Sequence, residues 1–354
     1  MRWIYWLDEI GQEHNNIVGK KCASMGEMRR AGMKVPPGFV LSLEAYERFM
    51  KETGAGEELR KYFSSFSADS EHLTDMAKYE EASRAARGIM ESKDMPKDME
   101  KLIIQYYDEL CQTTGIDDVP VSTRSAGPAS HPGQYETYCY VMGKSEVIRN
   151  IIRVWSSTFN QRSIVARARS PEFKLEYDPI GVAVPKMVNA KASGVMFTVH
   201  PVTGDPSKVC IQADWGLGES VVSGEVTPDE WEVDKVVLEI THSTISPKLK
   251  EYVLDIDAGC TAFLDVPPER QNIPCLAPEE IQELAKTGKR LESYFGCYQD
   301  TEWAIDNDLP FPDNIFMLQC RPEQVWNKQE TGSKVQTTGS NISDIARSMM
   351  GIKK

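Results

Sequence analysis

The hydrophobic period of this chain changes once, near Pro179, and that change narrows what it can fold into. Before it, Val147, Ile148, Ile151, Ile152, Trp155 and Phe159 recur at the helical spacing and predict one long amphipathic helix over 145–167. Residues 23–30 read as a helix stopped before Gly32, and the Pro36-Pro37-Gly38 turn leads into a short strand. Ser42 offers an N-cap for a helix through Met50, with Glu44 in its first turn. Helix formers and charges dominate 70–114, where Pro96 divides two helices. After Pro179 the runs GVAVPKMV, GVMFTV, KVCIQAD, ESVVSGEV and WEVDKVVLEI are short, apolar or alternating, and bounded by Gly, Pro and Asp, as strands are. One helix interrupts them, with Pro278 in its first turn and Gly296 as its stop. A hairpin of QDTEWAID and NIFMLQCR follows. The expected fold class is α+β, with a helix-rich lobe over about 1–180 and a β-rich lobe over about 181–326.

Composition removes several function classes. A net charge of −13 leaves no basic stripe for nucleic acid, although a small anionic ligand needs only a few local cations. The eight cysteines are scattered, with no CxxC or zinc-ligand spacing, and read as free thiols. Charges come too early for a signal sequence, and no run of about 18 apolar residues occurs. The expectation is a soluble cytoplasmic protein with no membrane and no nucleic-acid partner. No GxxxxGK[ST] string is present. Gly216-Leu217-Gly218 begins a dinucleotide fingerprint whose third glycine is replaced by Val221. HRD and DFG strings are absent too.

Three segments can carry chemistry. Residues 121–137, VSTRSAGPASHPGQYET, combine Arg124 with Ser122, Thr123, Ser125, Ser130 and two Gly-Pro-type turns. As a loop this would aim backbone N–H groups and one guanidinium at an anion. Arg124 could equally pair with a carboxylate, and His131 reads as a loop residue rather than a base. Lys20 and Lys21 sit just before a helix start, where amides and the macrodipole favour anions, or they are solvated surface lysines. In the last hairpin, alternation puts Asp300 and Glu302 on one face, with Thr301, Trp303 and Ile305 on the other; Met317, Gln319 and Arg321 share a face of the partner strand. If the polar faces coincide, Glu302 could bind Mg2+ or a ribose hydroxyl, and Gln319 and Arg321 phosphate oxygens. Otherwise the face is simply solvated.

These strings together resemble the ATP-binding domain of the phosphoenolpyruvate synthase, pyruvate phosphate dikinase and rifampicin phosphotransferase group. VGKKCASMGEM is similar to its Gly-Gly-Lys-x-Ala-Ser/Asn-Leu-Gly-Glu-Met segment, which puts the ATP lysine on Lys21 and leaves Lys20 in place of a glycine. The 121–137 segment, ASGVMFTVHPVTGD, WGLGESVVSGEVTPDEWEV and the Asp-x-Glu-Trp-Ala and Leu-Gln-x-Arg-Pro strings of the hairpin match in order, over roughly 15–325. Pro185 stands where relatives usually carry glutamine. The resemblance implies an ATP-grasp fold, with ATP and Mg2+ (or Mn2+) as cofactors. It implies nucleotide contacts at Lys21, Arg124, Ser125, Thr203, Glu219, Glu302, Gln319 and Arg321, metal at Glu302 and Gln319, and transfer promoted by Lys21, Arg124 and Arg321. Both arginines would be expected to be replaceable without cost to the fold.

Members of this group relay phosphate through a histidine on a mobile domain whose Thr-x-Gly-Gly and Ser-His signature is absent here; His14, His72, His131, His200 and His242 lie in other contexts. The implied activity is the ATP half of the relay, ATP to AMP and phosphate, with the histidine on a partner swivel or acceptor subunit. A separate piece of this size resembles the nucleotide-binding subunit of phenylphosphate synthase. A split phosphoenolpyruvate synthase-like or antibiotic phosphotransferase subunit, or a non-catalytic ATP sensor, are the alternatives. Residues 327–341 read as a flexible linker, and 342–354 as a short apolar-faced helix that could dock on the partner.

Overall fold

A computed structural model describes residues 2–66, 76–128, 135–169, 173–224, 226–255 and 260–329. The chain divides into two compact units, 1–26 with 37–187, and 27–36 with 188–354.

The first unit is built on a five-stranded antiparallel sheet. Its strands are β1 (Ile4–Trp6), β2 (Gly38–Leu41), β3 (Val121–Ala126), β4 (Thr137–Val141) and β5 (Gly181–Pro185), in the order β1-β2-β5-β3-β4. Around it lie α1 (Lys20–Arg30), α2 (Leu43–Glu52), α3 (Ala55–Ser64), α4 (Met76–Glu91), α5 (Lys97–Thr114), α6 (Lys144–Ser156) and α7 (Gln161–Ala168). Ser42 caps α2 as its position suggests, its hydroxyl accepting the Ala45 N–H. The stretch expected as one helix over 145–167 is two. A 3-10 turn at Ser157–Phe159 ends α6, and the Asn160 side chain accepts the Ser163 N–H to start α7. The apolar spacing alone could not show this, because Trp155, Phe159 and Ile164 all enter the same core across the break.

The second unit carries a six-stranded antiparallel sheet. Its strands are β6 (Ala190–Phe197), β7 (Lys208–Trp215), β8 (Asp229–Asp234), β9 (Ile240–Thr244), β12 (Gln299–Asp306) and β13 (Ile315–Pro322), ordered β13-β12-β6-β7-β8-β9; β10 (Lys250–Asp255) and β11 (Cys260–Asp265) form a separate hairpin between them in sequence. ESVVSGEV, expected as a strand, instead opens with the short helix α8 (Glu219–Ser223), closed by Gly224 in the left-handed region. Val221 explains the change, since it packs on Val195, Phe197 and Cys210 of the sheet. The long helix α9 (Pro278–Phe295) lies on the opposite face. It comes closest at Gly288, where a Cβ would stand 3.0 Å from the Met196 sulfur. The last described element is α10 (Trp326–Gln329), so most of the expected linker and all of the expected docking helix lie outside the described residues.

Candidate functional site

Lys21, Arg124 and Ser125 belong to the first unit, and Thr203, Glu219, Glu302, Gln319 and Arg321 to the second. In the first unit, the segment expected as a loop begins as β3, so Arg124 is a strand residue, paired with Ala183 on one side and Thr137 on the other. Alternation sends Ser125 to the face opposite Arg124, where it is buried. Ser130 and His131 lie outside the described residues.

The start of α1 meets the end of β3 through a glycine. Gly19 has φ +85, and a Cβ there would fall 2.0 Å from the Ala126 carbonyl oxygen. The next N–H, from Lys20, donates to the Gly127 carbonyl at 2.9 Å. Lys20 is exposed, while Lys21 is half-buried. The thiol of Cys22 is buried, and the charges of both Lys21 and Arg124 act on it. Burial pushes this thiol up to about 12 against their pull, so it stays neutral.

The far end of the same segment is anchored as well. Arg87 binds Glu136 through two hydrogen bonds of 2.6 and 2.9 Å, and the Tyr135 hydroxyl donates to Asp178 at 2.9 Å. Asp178 is itself held by Arg167 at 2.5 Å.

In the second unit, residues directly opposite across a ladder point to the same side, so the registers can be followed from strand to strand. One row runs Arg321, Asp300, Phe197, Cys210, Glu232; the next runs Gln319, Glu302, Val195, Gln212, Glu230. Asp214 lies on the same face, opposite Ser193. The expected coincidence of polar faces is therefore met at both pairs. Arg321 donates from Nε to Asp300 at 2.7 Å, and Gln319 donates to Glu302 at 3.0 Å. Gln212 likewise bonds Glu230 at 2.6 Å. Met317 departs from the expected face. A bulge after Glu302 makes Leu318 the extra residue and places Met317 opposite the buried Trp303.

The face is acidic: Asp214, Glu230, Glu232, Asp234, Asp300 and Glu302 against Arg321 and Lys208, the last of these standing opposite Asp234. Burial pushes the Asp300 carboxyl up, and the adjoining Arg321 pulls it back. Asp214 has one oxygen accepting the Trp215 N–H at 2.7 Å and the other without a partner, and burial raises it to about 7. Glu219 is exposed at the start of α8, and Thr203 is exposed on the turn after β6. Among the described residues, no three His, Cys, Asp or Glu side chains converge as a complete metal cage. Nor is any helix among them long and apolar enough to cross a membrane. The hard oxygens of Glu302 and Gln319 nevertheless suit Mg2+, which takes one or two protein ligands and completes its shell with phosphates and water.

Sequence reasoning did not single out Asp214, Gln212, Glu230, Glu232 or Cys22. The alternation in DEWEVD, with Trp231 and Val233 buried, signals that Glu230 and Glu232 share the other face. Which neighbours they meet follows only from the register. Cys22 carries no local signal.

The described residues thus define an α+β protein with a glycine-dependent helix start in one unit and, in the other, a sheet face carrying two cross-strand polar pairs. Residues 15–341 match the family described as pyruvate phosphate dikinase, AMP/ATP-binding domain, and the chain belongs to that family. It is 35% identical to a probable phosphoenolpyruvate synthase of Staphylothermus marinus over 99% of this chain and 45% of that protein. A probable phosphoenolpyruvate synthase of Methanocaldococcus jannaschii is 38% identical over 91% of this chain and 27% of its own length. The phosphoenolpyruvate synthase of Aeropyrum pernix is 36% identical over 93% and 43%. The chain thus spans less than half the length of these relatives.

Proposed function

We propose that this chain is the ATP-binding part of a phosphotransferase that moves phosphate from ATP to a histidine on a partner subunit. The observation that carries the reading is the double cross-strand pair on one sheet face, Asp300–Arg321 beside Glu302–Gln319. Phosphoryl transfer is mostly positioning and charge neutralisation, and this face offers a guanidinium for phosphate and hard oxygens for Mg2+ side by side. Lys21 and Arg124 supply further cations for the phosphates. A divalent cation, when bound, would neutralise phosphate charge that the carboxylates otherwise repel. Ser125 contributes through its backbone, since its side chain is buried away from Arg124. The ATP-grasp reading of the fold, with nucleotide taken between two lobes, is part of the same proposal.

In the relay the β,γ-diphosphoryl group passes to the histidine and AMP leaves. Water then releases the outer phosphate, and the phosphohistidine remains for the acceptor. His200 Nδ1 already accepts two backbone N–H groups and is not open to a phosphoryl group. The acceptor reading that the resemblance of the motifs suggests is of the phenylphosphate synthase kind, with phenol as acceptor. The second reading, a phosphoenolpyruvate synthase-like acceptor reaction, is favoured by the names of the relatives. Labelled ATP incubated with this chain, Mg2+ and the histidine-bearing partner should yield AMP and phosphate in equal amounts. ADP as the stoichiometric product would refute the relay.

A further inference from the structure

The turn after β6, residues 201–205, carries Thr203 and is held from two sides. From inside, His200 Nδ1 accepts the backbone N–H groups of Val202 and Thr203, each at 3.2 Å. A neutral ring then keeps its proton on Nε2, which faces Glu232 at 3.6 Å. The Gly204 N–H returns to the His200 carbonyl at 2.8 Å, and the Asp205 N–H donates to the Thr203 hydroxyl oxygen at 3.3 Å. From outside, Trp326 donates its indole N–H to the Pro201 carbonyl at 3.0 Å. Its ring lies against Gly204, where a Cβ would come within 2.5 Å of ring carbons. Trp326 is fixed in turn by the buried Glu323, which accepts the N–H groups of Val325 and Trp326 at 2.7 and 2.6 Å.

Two consequences follow. The N–H groups of Val202, Thr203, Gly204 and Asp205 are all donated within the turn, so the donor it can still offer is the Thr203 hydroxyl, which accepts from Asp205 and keeps its own proton. The turn also lies past the Arg321 end of the sheet face, because Phe197, across from Asp300 and Arg321, is the last residue of β6. Glu323 follows two residues after Arg321, so both attachments of the turn lead back to the same end.

We propose that His200 and Trp326 are positioning residues that hold the Thr203 hydroxyl as a hydrogen-bond donor to the outer phosphates of the nucleotide. This rests on the nucleotide reading above. Calorimetric titration of the full chain with MgATP and with AMP, which lacks those phosphates, tests it. Asparagine places an acceptor oxygen near the position of Nδ1, whereas phenylalanine fills the volume without one. His200→Asn should bind ATP within about two-fold of wild type. His200→Phe and Thr203→Ala should bind it about ten-fold more weakly, with AMP affinity unchanged in both. Equal losses in His200→Asn and His200→Phe, or equal losses for ATP and AMP, would overturn the proposal. If His200→Phe does not fold, wild-type ATP affinity in Thr203→Ala overturns it instead. A wild-type chain that binds neither nucleotide refutes the nucleotide reading itself, a result distinct from any pattern among the variants.

Discussion

Replacing Arg321 by alanine leaves the Asp300 carboxylate, 6% exposed, without the guanidinium that now lies 2.6 Å away. Breaking a buried pair by removing one partner costs about 3–5 kcal/mol, because a desolvated charge is left behind. The simple expectation that this arginine can be removed without cost to the fold therefore does not hold once its partner is known. The sign of the pH dependence follows from the carboxyl. Burial already raises Asp300 and Arg321 opposes that rise, so the variant raises it further. The folded variant then binds a proton that the unfolded chain does not. Its deficit against wild type grows by about 1.4 kcal/mol per pH unit between the wild-type folded value and the higher value of the variant. Urea unfolding at pH 5 and pH 8 should show Arg321→Ala much closer to wild type at pH 5. The double variant Asp300→Asn with Arg321→Ala should recover at least half the loss at pH 8. Equal stability of the single and double variants, or a loss independent of pH, would refute the reasoning.

Lys21→Met should weaken MgATP binding at least about ten-fold, whereas Lys20→Met, at an exposed position, should change it less than about two-fold; the reverse order in a calorimetric titration would show that the register of α1 is misread. Asp214, raised to about 7, is an acid whose folded form keeps its proton longer than its unfolded form, so it lowers stability as pH rises from about 4 through 7. Asp214→Asn should therefore be close to wild type near pH 4 and gain about 2–3 kcal/mol relative to it between pH 5 and pH 8, read from unfolding midpoints; a pH-independent difference would contradict the assignment.

Much of this architecture was readable from local patterns. Ser42 as a cap, Pro278 and Gly296 bounding α9, and the Asp300–Arg321 hairpin all follow from residues within one element or one turn. Failures came where a distant contact decided. Val221 belongs to a helix because of Val195 and Phe197, neither of which its own neighbours reveal. The β3 assignment of Arg124 depends on pairing with β5, almost 60 residues later, and overrides a composition that reads as loop. The register shift at Leu318 moved Met317 to the other face, since alternation counts residues and cannot see a bulge. Residues of the candidate site were found by spacing and resemblance. Two of their neighbours, Cys22 and Glu232, needed the packed structure.

Metal-dependent ATP binding by the full chain is the most direct test of the account. Acidic side chains outnumber Arg321 and Lys208 on the sheet face, so free ATP should be repelled there and MgATP accepted. Calorimetry should find one ATP per chain, bound at least about ten-fold more tightly with Mg2+ than in EDTA, and Glu302→Gln should remove most of that difference. Equal affinity with and without Mg2+, or a Glu302→Gln variant with the full metal effect, would contradict it.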